Sequence, residues 1–240
     1  MDATVADVEL TARPGVGRAY SAMRIVRLGD VNARSRLRLD ALARYAQDVA
    51  NDDATEALEG DSMAWVVRST TVRVERWPVF REPVELTTWG SGMGSRWAER
   101  RTSVVGELGG AIEVASTWIH VDLDTGRPKR LIPAFLDAYG EAIGGREVSA
   151  RLGHDAPPDD AEVVPWVVRV ADIDLLGHVN NAVYWAMVEE HLDVHAPFTA
   201  TVEYRGGVDL GQEVELRRAN GHLWVLAAGS IAASANVRGA

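Results

Sequence analysis

Apolar residues fall three and four positions apart in one early stretch of this chain and at every second position through much of the rest. In LRLDALARYAQDVAND, Leu37 to Asp52, the residues Leu39, Leu42, Ala43, Ala46 and Val49 share one side of a helix, with Asp40 placed near its start as a cap. Alternating or apolar runs follow: AWVVRSTTVRVER from Ala64, PVELTTWGSG from Pro83, RWAERRTSVVGE from Arg96 and AIEVASTWIHVDLDT from Ala111. Gly, Pro and Asp separate them, so they predict an antiparallel meander.

The same order then returns. GGREVSARLGHDAPPDDAE, Gly144 to Glu162, mixes Gly, Pro and acid without periodicity and reads as an exposed connector. After it come a strand VPWVVRV, the segment ADIDLLGHVNNAVYW, a helix from about Asn181 to Val194, and strands TATVEYR, EVELRRA, HLWVLAA and SIAASANV. Residues 1–145 and 163–240 are therefore read as two units joined by a linker, 146–162. Local matches mark them as copies: VRLGDVN, Val26 to Asn32, aligns with VRVADID, Val168 to Asp174, at an offset of 142, and PVEL, from Pro83, aligns with EVEL, from Glu213, at 130. The shorter second offset gives the first unit the longer connection after its helix. One helix covers one face of a curved antiparallel sheet, so the two α+β units are expected to pack into one body.

With 240 residues and 47% hydrophobic composition the chain can fill a substantial core. It has no cysteine, which removes disulfide and thiolate chemistry. The start MDATVADVEL lacks the basic and apolar regions of a signal peptide, and no apolar run approaches the ~20 residues of a membrane span, so a cytoplasmic protein is expected. A net charge of −10 argues against general affinity for nucleic acid or anionic membrane. Most arginines lie early, with 18 basic against 21 acidic residues up to Gly145 and 7 against 14 beyond it. Arg96, Arg100, Arg101, Arg127, Lys129 and Arg130 could form a basic patch for an acidic partner or simply a solvated mixed-charge face.

The candidate chemistry is concentrated in ADIDLLGHVNN, where two carboxylates, a histidine and two asparagines precede a helix. Asn180 or Asn181 is placed to cap that helix, and Gly177 permits a tight turn. A helix start carries unpaired N–H groups and a positive dipole end near Gly177 to Val179, suited to a developing oxyanion faced by Asp174 and His178. In the first copy Asn32 falls where Asp174 stands, and the following ARSRLRL has no histidine. A purely structural segment would be needed in both copies, so its presence in one points to chemistry. His191 and His195 stand one turn apart without an H-E-x-x-H around them and read as a helix end, so no metal is expected. GSGMGS lacks the G-K-[ST] of a phosphate loop and reads as a hairpin or bulge, and no organic cofactor is expected.

WVVRSTTVRVERWP, ELTTWGSGMGSRWAERR and ASTWIHVDLDTGRP, followed by DIDLLGHVNNAVYW, resemble the acyl-acyl carrier protein thioesterases of plants and bacteria over nearly the whole chain. The last motif alone also occurs in single-domain hotdog thioesterases; the order over two halves is more specific. The resemblance implies a double hotdog fold, much of the acyl pocket in the first half, catalysis in the second, and hydrolysis of fatty acyl thioesters of acyl carrier protein. It also implies the site residues. Asp174 would attack the thioester carbon or draw a proton from water, and His178 would orient Asp174 or that water. Glu203 matches the family's later acidic residue and would activate water, unless it forms a cross-strand charge pair. Leu176 departs from the plant-type pattern, which has an amide side chain there; Asn180 or Asn181 could substitute. A noncatalytic acyl-binding module and a hotdog hydratase or dehydratase stand as alternatives. Coenzyme A as carrier, pairing into a homodimer, and acyl chain length are left open.

Overall fold

Alternation along the strands sends one set of side chains toward the helices and the other away from them, and a single sheet results. The computed structural model describes residues 12–58 and 63–239. The first unit contributes β1 (Ala19–Ile25), α1 (Leu39–Ala57), β2 (Ala64–Arg76), β3 (Pro83–Met93), β4 (Trp97–Gly106), β5 (Ala111–Val121) and α2 (Pro133–Ile143). The second contributes β6 (Glu162–Trp166), α3 (Asn181–His191), β7 (Phe198–Tyr204), β8 (Val214–Ala219), β9 (His222–Ala227) and β10 (Ser230–Gly239).

The strands run β1-β3-β4-β5-β2-β7-β10-β9-β8-β6, all antiparallel, so the second half of the sheet is the first in reverse. This is a double hotdog. The units meet where β2 pairs with β7, which removes an open edge from each. Thr71 lies opposite Thr201 at the centre of that pairing, and their hydroxyls bond at 2.9 Å. The 130 positions between these threonines equal the offset between PVEL and EVEL, so that match is a structural equivalence. Val72, Val74, Phe198, Ala200 and Val202 face the helices and are buried, whereas Thr71, Thr201 and Glu203 face the other way.

α1 buries Leu39, Ala41, Leu42 and Val49, and α3 packs beside it with Tyr184, Trp185, Met187 and Val188 buried. The sequence ends α1 too early. Its polar tail stays helical to Ala57 because Asp53 is drawn inside, accepting from Arg18 Nε at 2.7 Å, from the Tyr139 hydroxyl at 2.8 Å and from Arg100. Nor does Asp40 cap the helix. It lies in the first turn, paired with Arg38 and Arg44.

β1 and α2 were not among the predicted elements. β1 pairs only with β3, and α2 carries Pro133 at its start, Gly144 at its end, and Phe135, Tyr139 and Ile143 on one buried side. β6 covers residues 162–166 instead of 164–170, because Val170–Asp172 forms a 3-10 turn. α3 stops at His191, where Leu192 is already extended. The linker has no helix or regular strand, yet it is not exposed along its length. It lies against the outer face of the sheet, with Trp97 Nε1 donating to Val148 O at 2.8 Å, Arg146 bonded to Glu99, and His154 and Ala161 buried. The six candidate basic residues do not form one patch: Arg100 is half-buried on the helix side with Asp53, and Arg101 is buried with Glu113. The glycine-rich run belongs to β3, with a bulge between Gly90 and Gly92. No helix among the described residues is long and apolar enough to cross a membrane.

Replacing the buried Asp53 by alanine would leave the half-buried Arg100 guanidinium without its carboxylate. The expected cost is about 3–5 kcal/mol, seen as a lower midpoint of urea unfolding with an unchanged slope.

Candidate active site

Two loops lead into the two long helices, and they match bond for bond. In the second unit the Asp174 N–H donates to His178 O at 2.9 Å, the Gly177 N–H to Asp174 O at 3.0 Å, and the Asn180 N–H to Asp172 O at 2.8 Å. In the first the Asn32 N–H donates to Arg36 O at 3.0 Å, the Ser35 N–H to Asn32 O at 2.9 Å, and the Arg38 N–H to Asp30 O at 2.9 Å. Each residue has its partner 142 positions away. Both turns need a residue at positive φ, filled by Gly177 at +84° and by Ser35 at +60°. With one backbone at both ends, the side chains alone make the difference.

Of the two carboxylates in the motif, Asp172 is structural. It is buried and accepts from the Arg169 backbone at 2.9 Å and from its guanidinium. Asp174 is half-buried, and its Oδ1 accepts the Leu176 N–H at 2.8 Å. Asn180 caps α3, its Oδ1 accepting from the Ala182 N–H at 2.9 Å. His178 is half exposed with Nε2 3.4 Å from Asp209 Oδ1. Gly207 lies beside it, and a Cβ there would meet the imidazole at 2.8 Å.

The expected oxyanion donors need correction. The amides of Gly177, Asn180 and Val179 donate to Asp174 O, Asp172 O and Val208 O. Among the described residues no acceptor meets the Asn181 N–H at the start of α3, and Asn181 borders a cavity of about 30 Å³ between the helices and the sheet. Most of the lining comes from the first unit, with Ala43, Ala46, Gln47 and Ala50 of α1 facing Trp118, Trp185 and Tyr204. The residues 142 positions on from Ala43, Ala46 and Ala50 are larger and buried: Trp185 and Val188 in α3 and Leu192 just beyond its end. A cavity of this size has room for water among largely apolar walls. Tyr184 connects the cavity wall to the loop. Its ring packs edge-on against Tyr204 at 5.4 Å, and burial, reinforced by the charge of Asp174, raises its hydroxyl to about 12.

Glu203 is not brought to Asp174. Alternation along β7 turns it to the outer face, where its carboxylate accepts the backbone N–H groups of Gly153 and His154 and pairs with Arg205 at 3.1 Å. It is a clamp on the linker. His154 is buried beside it, with Nδ1 3.0 Å from Ser234 Oγ.

Residues 17–139 match the acyl-ACP thioesterase N-terminal domain and residues 156–233 match the acyl-ACP thioesterase C-terminal domain. The chain belongs to the acyl-ACP thioesterase family. As a member of that family it is a thioester hydrolase. An uncharacterized protein of Mycobacterium tuberculosis is 30% identical over 216 residues, covering 88% of this chain and 86% of its own. Oleoyl-acyl carrier protein thioesterase 1 of Arabidopsis thaliana is 24% identical over 235 residues, covering 85% of this chain and 64% of its own. The 12:0-ACP thioesterase of Umbellularia californica superposes with a TM-score of 0.73 at 20% identity, over 92% of this chain and 97% of that one. An acyl-ACP thioesterase of Bacteroides thetaiotaomicron gives 0.70 at 18%, over 91% and 96%.

For this acyl-ACP thioesterase the departure at Leu176 has a local explanation. The leucine side chain is exposed, and its backbone N–H, in place of a side-chain amide, holds Asp174. Sequence reasoning missed Asp209, which has no motif around it and reaches His178 only through the loop before β8. It also missed Tyr184 and Tyr204, whose inward positions on α3 and β7 were the available signal.

The linker clamp predicts a pH dependence of stability. Burial pushes the His154 imidazole below its ordinary 6.5, against the charge of Glu203, with His222 and Arg205 adding to the lowering. The neutral form belongs to the fold, so its contribution is complete above pH 6.5 and drains away as pH falls from there through the lowered folded value. The thermal midpoint is expected to drop between about pH 7.5 and pH 5, and less so in His154→Leu.

Proposed function

We propose that this enzyme hydrolyses fatty acyl thioesters of acyl carrier protein at Asp174, with the acyl chain lodged between α1 and the sheet of the first unit. The observation that carries this reading is the unequal furnishing of two equal loops. Only the second has a carboxylate and a histidine at the turn, beside a helix start, Asn181, that borders a cavity. At the first, the equivalent amide of Leu39 is occupied by Glu189 Oε2 at 2.8 Å, so a negative oxygen already sits where such a helix start holds one.

In this reading the thioester carbonyl oxygen lies on the Asn181 N–H, which stabilises charge as it develops on that oxygen. Asp174 either attacks the carbonyl carbon, giving a mixed anhydride that water then cleaves, or takes a proton from the water that attacks. His178 orients these groups, and the proton released by the attacking water ends on the departing thiolate of the phosphopantetheine arm. Free fatty acid and carrier thiol are the products.

Purified protein given acyl-acyl carrier protein thioesters is expected to release fatty acid and thiol together. Asp174→Asn should lower kcat by about 10²–10⁴-fold, and full turnover in that variant would refute the site. Acyl binding without turnover, or an enoyl product without thioester cleavage, would replace the reading by a binding module or a dehydratase. Ala46→Phe, which fills the cavity from α1, is expected to cut kcat/KM for the longest accepted chain by about tenfold or more relative to a chain several carbons shorter.

A further inference from the structure

Glu189 spans the two units at one end of the molecule. Its Oε2 accepts the Leu39 N–H at the start of α1, and its Oε1 accepts Asn32 Nδ2 at 3.0 Å. The 142-residue equivalence carries Leu39 to Asn181, Asn32 to Asp174 and Glu189 to Gln47. The chemistry is exchanged between the ends. At the first, an amide on the loop meets a carboxylate on the opposite helix; at the second, the loop has the carboxylate and the helix the amide. Gln47 is half-buried, borders the same cavity as Asn181, and makes no side-chain hydrogen bond among the described residues.

We propose that Gln47 is a positioning residue for the hydrolysis, its Nε2 donating across the units to the carboxylate of Asp174. The inference rests on the reading of Asp174 as the reacting carboxylate. Two physical requirements favour glutamine at this place. Asp174 receives a single donor from its own loop, the Leu176 N–H, and a second donor fixes the direction of its free oxygen. A glutamate at position 47 would repeat what Glu189 does, setting its own oxygen on the helix-start amide and a second negative charge against Asp174. A neutral amide orients the acid and leaves the Asn181 N–H to the substrate oxygen. The catalytic end is then composite, with the acid from the second unit and its orienting amide from the first.

Steady-state kinetics and one NMR signature test this. Gln47→Leu should lower kcat by about tenfold with KM within about twofold, the pattern of a group that acts on the reacting carboxylate. Gln47→Glu should lower kcat by about 10²-fold or more, because its carboxylate displaces the substrate oxygen. The Gln47 side-chain amide protons, assigned by their disappearance in Gln47→Leu, should shift when Asp174→Ala is introduced. If those resonances ignore Asp174 and Gln47→Leu keeps the wild-type kcat, the inference is overturned while hydrolysis at Asp174 stands. If the wild-type protein cleaves no thioester but the resonances respond to Asp174, the contact stands and the proposed function falls.

Discussion

The pairing of β2 with β7 is the constraint from which the other relations between the units follow. Because Thr71 lies opposite Thr201, the sheet has an internal two-fold relation at that point, and each long helix sets its first turn against the later turns of the other. A slip of one residue would turn Val72, Val74, Ala200 and Val202 from the core to the outer face, so burial of those side chains fixes the register. The contact of Glu189 with the start of α1, and the placing of α1 opposite the Asp174 loop, are consequences of that register.

Equal backbones then carry unequal ends. The 142-residue relation before the helices and the 130-residue relation after them differ by 12; eight of these are the extra length of α1, 19 residues against 11 in α3, and four lie between the helix end and the paired threonine. Ala43, Ala46 and Ala50 of α1 line the cavity, and the residues 142 positions on, Trp185, Val188 and Leu192, are larger and buried. Gly207 makes space for the His178 ring where its equivalent, Trp77, fills the core against Phe198. The two ends therefore differ in the size of the side chains around them, while the loops leading into the helices keep the same backbone bonds.

The sequence was most legible where local chemistry and tertiary demand agree. Strand alternation, the α1 stripe, the Gly177 turn and an asparagine cap, which falls to Asn180 of the two candidates, each have a cause within a few residues, and each is found. The errors lie where distant partners decide. Asp53 extends α1 because Arg18, Arg100 and Tyr139 reach it from three other elements, which no helical pattern contains. Glu203 has the right residue type on the right strand, but its facing places it under the linker. The linker itself looked exposed by composition, and its burial comes from backbone groups bonding to the side chains of Trp97 and Glu203. α2 was legible in hindsight from Pro133, Gly144 and the spacing of Phe135, Tyr139 and Ile143.

A helix start with no acceptor is a local cost, since an N–H turned toward a partly apolar cavity lacks the hydrogen bond it had in water. Two identical subunits would carry that cost at both ends, because symmetry imposes the same residue on each. A single chain holding both units escapes the constraint. At the first end Arg38 offers no capping bond, and Glu189 supplies both the acceptor and the negative charge that α1 requires. At the second end Asn180 caps the Ala182 amide and the Gly177, Val179 and Asn180 amides have backbone acceptors, while the Asn181 N–H meets none among the described residues. One end thus stabilises the helix pair while the other keeps its amide unfilled, and a difference of this kind becomes possible only when the two copies can vary independently.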